Sequence, residues 1–406
     1  MAYEQASGIL ERMAAAADAR GCASIMPVIA NTIGAELVDV EPFVTWKDRE
    51  LNVDPWGGRF PFWQSIGRWA AAQLDTGLSP QAIIDLGLEM MAKDRLEVLA
   101  VFAIEGVSVK KIVPFCEGAW LVPMNEVPAS WARDHMFPTG QLGNSIAYYR
   151  DVRHTNVPRC ALVVEEIIKP LTSAEKTDGQ LKTFVPGNGV AEDIARALGL
   201  TTDSWMALPS RYCIIARQAF GADFTGVRSY AYEIPPRVSA PPDIKMARRI
   251  YQEIERFAHR DKLRLAIDRL VRSRTEFSHV DKAIDLGLAA EVLLMHDAQP
   301  SNTEIRHKVG LRSGWLLGTS PEDRKIQADA MRKLYDARSS AAHSATLGKT
   351  KFDPAAADDL VAKLINRVLE VGHLPAWDDL TMGMKPGKKW KAKAPSKLAR
   401  APGWPV

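Results

Sequence analysis

The stretch SPEDRKIQADAMRKLYDARSSAAHS, Ser320 to Ser344, ends in Arg338 and His343 with four residues between them. An imidazole moves protons near neutral pH, and a guanidinium stabilises negative charge that develops during a reaction. The gap alone carries no weight: Arg274 and His279 also stand four residues apart, and Arg367 and His373 are separated by five. Those two pairs fall where a helix starts or ends. Arg338 and His343 instead lie within one long predicted helix, with Ser320 as N-cap, Pro321 in the first turn and Asp323 in capping-box position.

Counting from Ile326, positions Ala330, Leu334, Ala337 and Arg338 share the stripe expected to be buried, which puts Arg338 at the edge of the core. Tyr335, Ser339 and His343 recur at i, i+4 and i+8 and line a different face. Five residues turn an ideal helix by about 140°. One copy therefore cannot aim both side chains at one atom unless the arginine bends, and the expectation is a composite site made by two copies of this helix across a twofold axis. Two further charges fall on apolar stripes: Glu291 with Ile284 and Leu288, and Arg312 with Ile305, Val309 and Leu316. A charge on a buried face is costly unless paired, so Glu291 and Arg312 are expected to meet, either as a structural ion pair or as part of the site.

These residues must be carried by a helical domain, residues 243–380. The spacing predicts one helix from Asp243 to about Arg274, then helices over Phe277 to His296, Thr303 to Leu317 with a stop at Gly318, the Ser320 helix, and Asp353-Pro354 to Gly372. Short connections make this an antiparallel bundle. Residues 245–275 hold ten Lys or Arg against four acids, enough either to follow a phosphate backbone or to form a solvated face. The Pro-rich EIPPRVSAPPD (Glu233 to Asp243) marks the boundary before the bundle. Residues 96–238 read as an α+β region, with short β-branched and aromatic runs from Leu96, over Cys160 to Ile168 and over Arg211 to Phe220, and a helix from Val190 to Leu198. Residues 1–95 read as helical, over 5–20, from 62 and again from Ser79-Pro80. The fold class is therefore α+β: a mixed N-terminal half before an all-α bundle.

The segments KLYDARSSAAHS, AIDLGLAAEVLL and EIRHKVGLRSGWLLG together resemble the HEPN superfamily, and within it the Apea-like HEPN group of prokaryotic proteins. The resemblance covers about residues 245–375. It matches the family's R-x4-6-H motif to Arg338 and His343, its glutamate on an earlier helix to Glu291, and its arginine before an LL pair to Arg312. Ser339 stands where other branches carry a stronger polar residue, and with Tyr335 it is a supporting position. The resemblance implies a metal-independent endoribonuclease without a cofactor, dimeric through this domain, acting as a toxin or effector of antiphage defence by abortive infection. A second implication is a non-catalytic dimerisation or ligand-binding bundle. Under the first, the N-terminal half is a sensor that responds to a phage-derived or nucleotide trigger.

Composition bounds the rest. The formal charge is +3, but residues 385–406 hold seven basic residues and no acid, so the remainder of the chain stands at −4. An overall basic balance thus argues nothing about nucleic acid, and the tail itself is expected to be disordered. Four cysteines, Cys22, Cys116, Cys160 and Cys213, lie far apart without a CxxC pair, which argues against a disulfide framework or zinc site. No basic-then-apolar leader and no membrane-length apolar run is present, so a cytoplasmic, unanchored protein is expected. Gly187-Asn188-Gly189 reads as a turn ahead of its helix, since it lacks the lysine or third glycine of a phosphate loop. His135 and His154 have no spaced carboxylate or cysteine partners.

Overall fold

The computed structural model describes residues 3–18, 26–51, 60–75, 77–92, 96–128, 159–168, 171–172, 188–201, 207–215, 225–227, 241–297, 304–348 and 351–384. The basic tail, most of the Pro-rich boundary, Cys22, His135, His154 and Gly187 lie outside the described residues. The chain is mixed α+β, with an antiparallel sheet preceding a helical C-terminal region.

Helices α1 (Glu4–Asp18), α2 (Met26–Leu37), α3 (Phe62–Asp75) and α4 (Pro80–Ala92) enclose a core of Leu10, Met13, Phe43, Phe62, Ile66 and Ile83. The principal sheet runs in the order β4-β5-β6-β3-β8-β9, from β3 (Leu96–Glu105), β4 (Val113–Cys116), β5 (Ala119–Pro123), β6 (Cys160–Ile168), β8 (Ala207–Ile215) and β9 (Thr225–Val227). Short strands β1 (Glu50–Leu51), β2 (Phe60–Pro61) and β7 (Leu171–Thr172) form a second, small sheet. In the central ladder Phe102 faces Leu162 and Ile104 faces Cys160. The runs VLAVFAI and CALVV are apolar at every position because both faces of the sheet are covered. Phe102, Leu121, Leu162 and Val164 pack with Ile194 and Leu198 of α5 (Asn188–Gly199), while Val101, Trp120, Val122 and Val163 pack on the other face.

The stretch expected as one helix from Asp243 to Arg274 is two, α6 (Ile244–Arg256) and α7 (Arg260–Thr275), broken at Phe257. Phe257 leaves helical backbone and buries its ring in the bundle core, so α7 can start in a new direction. Then come α8 (His279–Leu294), α9 (Ile305–Leu317), α10 (Pro321–Ser344), α11 (Pro354–Val371) and the short α12 (Trp377–Thr381). The caps are the expected ones: Ser320 Oγ accepts from Asp323 N–H, Asp353 caps α11, and Gly372 closes α11 at φ 79°. Asp323 reaches one residue further back than a capping box, accepting from Thr319 N–H at 2.9 Å. This bond is the first of the contacts that hold its carboxyl below the usual carboxylate range.

The basic run over 245–275 does not form a free cationic face. Arg248 donates to the carbonyls of Pro114 and Phe115 on edge strand β4, which blunts that edge. Arg264 and Arg196 both donate to Asp193 of α5, which is 0 % exposed, and Arg196 also forks onto Asp268 at 2.7 and 2.9 Å. Arg274 forks onto Asp358 of α11 at 2.8 Å for both bonds and donates to Gly199 O, the end of α5, at 2.8 Å. The sheet layer and the bundle are thus held together through arginine forks, whose rigid planar donors suit carboxylates and helix-end carbonyls. Asp193→Ala would take from Arg264 its two-pronged carboxylate and from Arg196 one of its two hydrogen-bonded carboxylates, and is expected to lower unfolding free energy by about 3 kcal/mol, read as a reduced urea midpoint.

Candidate functional site

Helix α10 approaches two neighbours in succession, and glycine sets both approaches. Against its first half, a Cβ on Gly314 of α9 would stand 2.7 Å from Arg324 O, and one on Gly310 would stand 2.7 Å from Arg332 Nε. Rising numbers on α9 meet falling numbers on α10, so the pair is antiparallel. Arg324 also lays its guanidinium over the Trp315 ring, 3.7 Å from the centroid, a cation–π contact that fixes the start of the helix pair. Against its second half lies α8, where Ala283 packs with Ala337 and Ala341 and where Gly287 meets the stem of Arg338.

The buried positions of α10 are Ala328, Met331, Leu334, Ala337 and Ala341. Ile326, from which the buried stripe was counted, is 64 % exposed. Steps of three residues turn the buried face backwards by about 60° each, so the stripe winds from the α9 side to the α8 side and leaves Ile326 in solvent. Arg338 keeps its expected place at the edge of the core.

Glu291 and Arg312 do not meet. Arg312 Nη1 donates to Leu294 O at 2.6 Å and to Asp297 Oδ1 at 2.7 Å, and Nη2 donates to Asp297 Oδ2 at 3.0 Å. The carbonyls at the end of α8 have no helical partner and attract a donor, and Asp297 just beyond supplies the charge. Arg312 also lies over Trp377 of α12 at 5.2 Å, so its role is to close one end of the bundle. Trp377 Nε1 donates to His296 Nδ1 at 3.0 Å beside it, and burial draws the His296 pKa below its ordinary value.

Glu291 instead faces α10 and pairs with Arg338, Oε1 to Nε at 3.2 Å, with side chains 19 % and 26 % exposed. The approach is out of line for a hydrogen bond, so Glu291 Oε1 is buried without an aligned donor and the contact rests on charge. Burial raises the Glu291 pKa, and the nearby Arg338 only partly opposes it. Nη1 and Nη2 of Arg338 make no hydrogen bond to the described residues. Tyr335 and Ser339 are half-buried; His343 is exposed in the last turn of α10, which ends at Ala345 in left-handed backbone. Arg338 and His343 rise about 7.5 Å apart along the axis. The arrangement offers an anion-binding fork and an accessible proton carrier on one helix, displaced from each other.

The motifs and apolar stripes of the sequence single out Arg338, His343, Glu291 and Arg312 and pass over Asp297 and Gly287. The signal for Gly287 was present: a glycine inside an apolar helix costs about 1 kcal/mol against alanine and calls for a packing reason. Asp297 lies past the end of its helix and carries no periodic signal. Among the described residues no group of three His, Cys, Asp or Glu could hold a metal ion, and no helix is long and apolar enough to cross a membrane. Comparison with protein-family models, curated proteins and solved structures gives no match.

A carboxyl whose pKa is raised on folding stabilises the fold below its unfolded pKa, near 4.5, and that contribution is lost as pH rises through the folded value. Wild type is therefore expected to gain stability relative to Glu291→Gln as pH falls from 7 towards 4.5, measured by urea unfolding of both proteins at each pH. An unchanged difference would contradict the buried placement of this carboxyl.

Proposed function

We propose that residues 243–380 are an HEPN-type endoribonuclease unit that acts as a homodimer in the cytoplasm, as a toxin or effector of antiphage defence. The observation that carries this reading is Arg338, held at the core edge with both terminal nitrogens free of hydrogen bonds to the described residues, on the same helix as an exposed His343. RNA supplies its own nucleophile. His343 of one copy takes the proton of the 2′-OH as O2′ bonds to phosphorus, the P–O5′ bond breaks, and the departing O5′ takes a proton from water. Arg338 holds the charge that gathers on the equatorial oxygens. The product ends are a 2′,3′-cyclic phosphate and a 5′-OH. Because one copy displaces Arg338 from His343 by about 140°, the pair acts across the dimer axis.

The N-terminal half serves as the sensor that restrains this unit until a phage-derived or nucleotide trigger arrives. The support is physical continuity: Arg248, Arg264 and Arg274 tie the sheet layer and α5 to α6, α7 and α11. A second reading, a non-catalytic bundle that dimerises or binds a ligand, is favoured by one observation: no described side chain orients the His343 ring.

Sequencing RNA ends after induction decides between the two. Wild type is expected to yield cyclic-phosphate ends, and Arg338→Ala and His343→Ala to lower the cleavage rate by about 100-fold or more. Full cleavage by either variant, or no cleavage by wild type, would overturn the nuclease reading.

A further inference from the structure

Helix α8 crosses α10 at Gly287, and the crossing leaves room for no side chain. A Cβ at Gly287 would stand 2.4 Å from Arg338 Cγ and 2.5 Å from its Cβ, closer than packed carbons approach. The stem of Arg338 therefore lies in a notch that only glycine leaves open. Glu291 follows four residues later on α8, on the same face, and meets the same side chain at Nε, 3.2 Å away.

Three other enclosed arginines are held differently. Arg312 spends Nη1 and Nη2 on Leu294 O and Asp297, Arg274 spends Nε, Nη1 and Nη2 on Asp358 and Gly199 O, and Arg196 spends all three on Asp193 and Asp268. Each is a structural fork with its donors turned into the protein. Arg338 is gripped by its stem and by the Glu291 carboxylate beside Nε, and none of its nitrogens makes a hydrogen bond to the described residues. A carboxylate on Nε blocks the side-on fork and leaves the end-on pair, Nη1 and Nη2, whose spacing matches two oxygens of one phosphate.

We propose that Gly287 and Glu291 are positioning residues, which together seat Arg338 so that its two terminal nitrogens form a fork for one phosphate of the RNA backbone. The proposal rests on the endoribonuclease reading above. Glu291 touches no substrate; it acts through Arg338. An unseated arginine has four free rotors, and a shift of about 1 Å in a charge-stabilising group costs up to about 100-fold in rate.

The test measures kcat and KM for cleavage of a short single-stranded RNA by the full-length protein carrying Gly287→Ala, Glu291→Gln, Glu291→Asp or Arg338→Ala. Circular dichroism and urea midpoints show that each is folded. Gly287→Ala and Glu291→Gln are expected to lower kcat by about 10- to 100-fold with KM nearly unchanged, and Glu291→Asp to recover part of the loss. Should Gly287→Ala fail to fold, Glu291→Gln and Glu291→Asp decide alone. Wild-type kcat in Glu291→Gln beside an impaired Arg338→Ala overturns the seat and leaves the nuclease reading intact. A KM rise that parallels a loss of stability, with no recovery by Asp, also overturns it. Wild-type rates in Arg338→Ala, or no cleavage by wild type, overturn both.

Discussion

Helix α10 lies against its neighbours through glycines, Gly310 and Gly314 on α9, Gly318 just past its end and Gly287 on α8, and the distance they permit sets everything else at the candidate site. Each glycine in a helix interior costs up to about 1 kcal/mol of intrinsic helix stability. Close backbone approach offsets that cost with dense dispersion contacts, here between Gly314 and Ala328 and among Ala283, Ala337 and Ala341. Larger residues would hold the helices apart, and Arg338 would lose both its notch and its reach to Glu291. The helix that carries Arg338 and His343 is thus closely packed on two sides, which would suit a site that must hold an arginine in one conformation.

The same chain uses arginine for two purposes. At the joint between sheet layer and bundle, forks onto Asp193, Asp268 and Asp358 are fully committed and cement elements far apart in sequence. On α10, Arg338 is only partly committed. The difference comes from the partner. Asp297 and Asp358 present two oxygens to the end or side of the guanidinium, whereas the buried Glu291 approaches Nε with one.

Much of the bundle is legible in the sequence because helix ends carry local chemistry: Ser320-Pro321, Asp353-Pro354, Gly318 and Gly372 act through their own backbone and do so in the fold. The apolar β3 and β6 runs are legible from their β-branched and aromatic composition. What escaped was set by tertiary partners. A straight stripe from Ile326 would place that residue in the core, whereas α10 changes neighbours midway and leaves it exposed. Glu291 and Arg312 were each rightly read as charges needing partners, yet periodicity fixes the face a residue occupies and not the side chain it meets. The break at Phe257 follows from the burial of one ring, a long-range gain that local spacing does not record.

In the proposed composite site, Arg338 of one copy of α10 works with His343 of another. Mixing Arg338→Ala and His343→Ala proteins under conditions that exchange subunits tests it most directly, with cleavage of a single-stranded RNA as the readout. In the mixed dimer one site joins the intact arginine of one copy to the intact histidine of the other. The account predicts that the mixture regains a substantial part of wild-type activity although each variant alone is impaired. A mixture no more active than its two components would contradict it.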